Sequence, residues 1–160
     1  MNLLIKQRVF SWTDTYDVYD EQSNPRYFVK AEFFTLGHQI HVYDMNHREV
    51  GVIHQRILTI LPKFDIEIGG RPRGTIRKEF TFLRPRYNID YRGWSCGGDL
   101  MGWDYKICAG DRVVARIEKE IFNWGDTYVI HIENPEDEID VMMLCIAIDA
   151  ANCGKNDDFD

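Results

Sequence analysis

Absences in this chain remove whole classes of function before any motif is read. Its four cysteines, Cys96, Cys108, Cys145 and Cys153, form no CxxC pair, which argues against a zinc knuckle or a thioredoxin-type redox site. Reduced thiols and a cytoplasmic location are the expectation. Positive charge is not in excess: the net charge of −7 disfavours a general nucleic-acid binder, which must neutralise phosphates. A G-x-S-x-G nucleophile signature is missing. The pairs Gly69-Gly70 and Gly97-Gly98 lack the lysine and spacing of a phosphate loop or dinucleotide fingerprint, and read as turn glycines. The apolar run Val141–Ile148 falls far short of the roughly 20 residues a membrane span needs. Residues Met1–Arg8 carry too short an apolar stretch, and no small-residue cleavage site, for an export signal. No cofactor, metal or transmembrane segment is expected.

What the chain does have is an internal repeat. Phe10-Ser11-Trp12-Thr13-Asp14-Thr15-Tyr16 returns as Phe122-Asn123-Trp124-Gly125-Asp126-Thr127-Tyr128, with weaker copies starting at Phe34, Leu58 and Thr81. The steps between copies are 24, 24, 23 and 41 residues, so one supersecondary unit is reused. Each unit reads as a hairpin. Val113, Ala115 and Ile117 alternate with Val114, Arg116 and Glu118 after the Gly110-Asp111 turn, and the same grammar surrounds Asp44–His47 and Gly69-Gly70. The repeated aromatics are expected to face the core, with Asp14 and Asp126 shaping turns. The longest step has room for one extra strand pair.

At 160 residues and 44% hydrophobic content, one compact domain is predicted. Successive hairpins favour an antiparallel barrel, because closure removes exposed edges. One segment departs from this pattern. Asn134-Pro135-Glu136-Asp137-Glu138 supplies a cap, a first-turn proline and acids for the positive end of a helix dipole. The following Val141–Ile148 run leaves no face for water. The helix, over about 135–151, is therefore expected inside the barrel. The domain spans residues 1–151, and 152–160 form an acidic, flexible tail.

Hairpin repeats ending in an apolar helix, with Phe33-Phe34-Thr35-Leu36-Gly37-His38, Leu61-Pro62-Lys63-Phe64-Asp65-Ile66 and the Phe122–Tyr128 phrase, resemble the LURP-one-related family, and its compact bacterial-type members in particular. That family belongs to the tubby C-terminal-like superfamily, together with phospholipid scramblases. The resemblance implies a mainly β fold: a closed antiparallel barrel of about twelve strands enclosing a hydrophobic C-terminal helix. Tubby proteins bind phosphoinositide headgroups and scramblases associate with membranes, but no headgroup site maps residue by residue onto this chain.

The candidate sites are few. His38 and His41, three apart on a strand, point to opposite faces and make a poor metal pair. Glu118 and Glu120 share a strand face, which a solvated barrel exterior explains more simply than acid–base chemistry. Basic residues concentrate between Lys63 and Arg92, while acids dominate from Glu133 onward. Within the basic stretch, Lys63, Arg71, Arg73, Arg77, Arg84 and Arg86 form a candidate anion patch if the fold brings them together; otherwise they are solubilising residues paired with acids. The function expected is a non-enzymatic cytoplasmic binding or scaffold module, its ligand an anionic lipid headgroup or a protein partner. The alternatives are an enzyme with a site assembled from loops around Cys96, or a self-associating structural protein.

Overall fold

The structure, a computed structural model, describes residues 1–6, 15–34, 37–56, 60–80, 85–122 and 125–153. Among the described residues twelve strands are present: β1 (Asn2–Lys6), β2 (Thr15–Tyr19), β3 (Pro25–Phe34), β4 (Gly37–Asp44), β5 (Glu49–Arg56), β6 (Lys63–Ile68), β7 (Arg71–Phe80), β8 (Pro85–Tyr91), β9 (Ser95–Asp99), β10 (Asp104–Ala109), β11 (Arg112–Phe122) and β12 (Gly125–Ile132). One α-helix lies among the described residues, α1 (Glu138–Cys153), and it follows a 3₁₀ turn at Pro135–Asp137. All strands join one antiparallel sheet in the order β8-β7-β6-β5-β4-β3-β2-β1-β12-β11-β10-β9. The sheet curls into a nearly closed barrel, with β8 and β9 as its two unjoined edges.

Local chemistry accounts for the turns. Asp20 and Asp44 perform the same task in the β2–β3 and β4–β5 hairpins: each Oδ1 accepts from backbone N–H groups two and four residues on, a short polar side chain standing in for a carbonyl. The left-handed residues these loops require are Ser23 and His47, at φ 62° and 61°. The β6–β7 turn uses Gly69 and Gly70 at φ 60° and 75°, where any side chain would be strained.

Strand alternation holds except at bulges. Val114 was expected on the outer face, yet it is fully buried beside Ala115. The register slips there, with Ala115 opposite Ile107 and Val113 opposite Cys108, so the extra residue turns inward. The repeat copies at Phe34, Leu58, Thr81 and Phe122, together with Phe10, mark the β1–β2, β3–β4, β5–β6, β7–β8 and β11–β12 connections. The β9–β10 pair is the addition inside the 41-residue step. Trp12, Asp14 and Trp124 lie outside the described residues.

The helix fills the barrel. Every residue from Val141 to Ile148 is at 0% exposure, packed among inward side chains such as Leu3, Val29, Ile40, Ile53, Phe64, Ile76 and Ile107. It begins three residues later and ends two later than the sequence predicts. The reason at its start is local: Asn134 accepts from the Glu136 N–H, and Glu138 N–H bonds the Pro135 carbonyl three residues back, which tightens the first turn to 3₁₀. One wall comes very close to the helix at a glycine. A Cβ on Gly51 would sit 2.6 Å from the Met143 methyl.

Candidate functional site

Both ends of α1 are pinned by charged side chains from the barrel rims. At its start, Arg26 grips Glu138 with two N–H donors, the Nη2–Oε2 distance being 2.9 Å, and the Tyr27 hydroxyl adds a third bond at 2.9 Å. Arg92 bridges Asp137 and Asp140 at 3.1 Å each. Arg73 reaches Asp140 at 2.9 Å, and the Tyr91 hydroxyl donates to the Asp140 carbonyl at 2.8 Å. Burial, with the Asp140 charge beside it, pushes the Tyr91 phenol well above its ordinary value and keeps it a donor. Acids here also complement the positive end of the helix dipole.

The other end carries a buried cation and a buried acid. Lys78 is 1% exposed and donates to the Ala151 carbonyl at 3.0 Å, a favourable partner for the negative end of the helix. Asp149 accepts from Trp103 Nε1 at 2.9 Å and from the Tyr128 hydroxyl. Burial pushes its carboxyl up to about 7, although these two bonds act in the opposite direction.

The six basic residues singled out from the sequence are not all brought together. Lys63 and Arg77 are: they stand directly opposite each other on the outer face of β6 and β7. Arg73 instead turns to the helix. In the β6–β7 ladder Ile66 faces Gly74 and Glu67 faces Pro72, so Arg73 is the extra residue of a bulge and is redirected to Asp140. Arg71 lies exposed at the β6–β7 turn, and Arg86 sits opposite Glu79 on β8. Arg84 lies outside the described residues.

The structure adds a residue that the sequence reading missed. Arg56 is directly opposite Lys63 on β5, so Arg56, Lys63 and Arg77 form one row across three adjacent strands, continued by Asn88 on β8. Directly opposed like charges destabilise a sheet unless something neutralises them. Asp65 pairs with Arg56, but among the described residues no ion pair joins Lys63 or Arg77 to an acid. A groove of about 460 Å³ borders the row, lined by Arg56, Lys63, Asp65, Thr75 and Asp90 among others. Register was the signal that could have found Arg56: it requires knowing that the loop after β5 returns β6 at Lys63.

The remaining candidates resolve differently. His41 bonds Glu49 at 2.8 Å and His38 bonds Gln55; among the described residues no three His, Cys, Asp or Glu side chains group closely enough to hold a metal. Glu118 lies 3.4 Å from His131 on the outer face. Cys96 is partly buried on β9, and burial pushes its thiol up to about 12, the reverse of nucleophile activation. None of the five histidines lies on β8, β9 or β10. No helix among the described residues is long and apolar enough to cross a membrane.

Comparison with known proteins gives the lineage. A Bacillus subtilis (strain 168) protein, the uncharacterised YxjI, is 30% identical over 148 residues, covering 92% of this chain and 89% of its own. An X-ray structure of an Arabidopsis thaliana protein superposes with a TM-score of 0.63 at 15% identity, covering 93% of this chain and 90% of that one, a likeness of fold. The LURP-one-related family model matches residues 1–149. With twelve antiparallel strands wrapped around one apolar helix, and with this match along nearly its whole length, the chain belongs to the LURP-one-related family.

Proposed function

We propose that this barrel is a non-enzymatic binding module, working in the cytoplasm, whose outer face across β5, β6 and β7 receives an anionic group. The observation that carries this reading is the cross-strand row Arg56–Lys63–Arg77. Lys63 and Arg77, directly opposed on adjacent strands about 5 Å apart, repel each other beside an Arg56 already held by Asp65, and a phosphate or lipid headgroup placed over them relieves that repulsion. Asn88 extends the row with neutral hydrogen-bonding capacity. The interior offers no competing site in this reading, because α1 is buried against the barrel wall along its apolar length.

Vesicle flotation tests this. Phosphatidylcholine vesicles with rising fractions of phosphatidylserine or a phosphoinositide should carry the protein upward at low salt and lose it at high salt. A Lys63→Glu, Arg77→Glu double variant should stay at the bottom. Competition by inorganic phosphate, without any preference among lipids, would assign the row to a free anion. No association with anionic vesicles or with phosphate at low salt would refute the proposal.

A further inference from the structure

The two ends of the barrel differ in what joins their strands. At the end where α1 starts, the β2–β3, β6–β7 and β10–β11 turns are Asp20–Asn24, Gly69-Gly70 and Gly110-Asp111, with no apolar side chain among them. At the end where α1 finishes, beside Lys78 and Leu100, the chain from β5 to β6 reads Ile57-Leu58-Thr59-Ile60-Leu61-Pro62, in which Thr59 is the one polar residue. Ile60 is 102% exposed. Met101, on the β9–β10 connection at this same end, is 44% exposed. The third large apolar side chain exposed among the described residues, Met45, stands in the otherwise polar β4–β5 turn at the other end.

Ile60 adds nothing to the packing of the fold, yet its place is specific. Arg56 precedes it by four residues and Lys63 follows it by three, and Arg77 stands directly opposite Lys63. Three residues of chain reach at most about 11 Å, so the Ile60 backbone lies within that distance of Lys63. An anionic bilayer presents the matching order: charged headgroups first, then, about 5–10 Å deeper, the acyl boundary where an interfacial anchor rests. A protein partner asks for something else, namely about 800 Å² of complementary surface on each side. The groove beside the cation row is not lined by Ile60, and full exposure makes this side chain a projection. A fluid lipid surface accepts a single projection without a matching shape.

We infer that the β5–β6 tip is a membrane anchor: Ile60 enters the headgroup–acyl boundary of an anionic bilayer while Lys63 and Arg77 hold headgroup phosphates above it. This sets the barrel on the lipid surface by the end where α1 finishes. The inference rests on the anion-binding reading of the row and names a lipid surface, rather than a free phosphate, as its partner. One isoleucine is too small an anchor to hold the protein once salt screens the cations, so both features are needed.

The test compares the parent chain with Ile60→Ser, Ile60→Trp and Met45→Ser on phosphatidylcholine vesicles containing phosphatidylserine. Ile60→Ser should bind about tenfold more weakly, the loss expected when one isoleucine no longer leaves water, and Met45→Ser should bind as the parent does. Both should melt with the parent, since neither side chain is buried. The indole added by Ile60→Trp should emit further to the blue on vesicle binding, and lipids brominated in their acyl chains should quench it beyond any change in the parent. If parent and Ile60→Ser bind alike, with no added quenching in Ile60→Trp, the anchor is overturned and the anion row stands. Binding of inorganic phosphate without binding of vesicles has the same meaning. No binding of the parent to either would overturn the anchor together with the reading beneath it. A light-scattering mass that halves on Ile60→Ser, without vesicles, would overturn the anchor in favour of a second copy seated on the tip.

Discussion

Replacing Asp149 with Asn should stabilise this protein at neutral and alkaline pH while leaving it nearly unchanged in acid. The carboxyl lies inside the barrel in the last turns of α1, against Trp103, Tyr128, Tyr105 and Cys145, with Tyr16 and the Lys119 ammonium farther out. Folding raises its pKa from 3.8 to about 7, chiefly through desolvation. The native state therefore holds a proton that the unfolded chain releases near pH 4. Stability is fully present below about pH 4 and is lost as pH rises through 7. A shift of roughly 3 pKa units at 1.36 kcal/mol each sets a ceiling of about 4 kcal/mol. Asn has nearly the shape of the protonated acid and takes no charge, so it escapes this loss. The assay is urea unfolding of both proteins between pH 4 and 9, reading the difference in unfolding free energy at each pH. That difference should be near zero at pH 4 and reach up to about 4 kcal/mol in favour of Asn by pH 8. A difference that does not change with pH would refute the reasoning, since only a proton linked to position 149 can produce the slope.

Four further outcomes follow from the same geometry. Lys78→Met should cost roughly 1–3 kcal/mol, because the Ala151 carbonyl is left buried without its donor; denaturation midpoints check this. Arg92→Ala should lower stability by a similar amount, more than Arg116→Ala on the exposed face of β11, since Asp137 and Asp140 both lose a partner. Gly74→Ala should destabilise strongly, as its Cβ would lie 2.3 Å from the Asp90 carbonyl oxygen, which is backbone and cannot step aside cheaply; a drop in melting temperature of several degrees is the expected reading. Cys96 should alkylate with iodoacetamide at pH 8 far more slowly than a free thiol, its thiol being pushed up to about 12, and a rate equal to that of glutathione would contradict the burial argument.

Much of the architecture was legible in the order of residues because strands and helices announce themselves through short-range chemistry. The alternation around Gly110-Asp111, Asp44–His47 and Gly69-Gly70 set the hairpins, and Asn134-Pro135 followed by acids set the start of the helix. The helix placed itself as well: a run from Val141 to Ile148 without a polar residue can be stable only where water is absent. The acids at its start answered to the helix dipole, but their ion-pair partners left no mark in the sequence. Arg26, Arg73 and Arg92 come from three separate hairpins, and nothing local connects them.

Register and bulges were decided by the tertiary structure, and with them the surface chemistry. One extra residue redirects Arg73 from the outer face to the helix, and another turns Val114 inward; a bulge is a choice between two strands and leaves little trace in either sequence. The row Arg56–Lys63–Arg77 exists only because two connections return their strands in that alignment. The ordinary-looking lysine of the basic stretch, Lys78, is buried against a helix terminus 73 positions away. The open seam belongs to the same category. Sequence determined that a run of hairpins would wrap an apolar helix; that β8 and β9 stay unpaired, with Asn152 bonded to Tyr87 on one side and the Leu100 carbonyl on the other, is a matter of tertiary distances that no local pattern encodes.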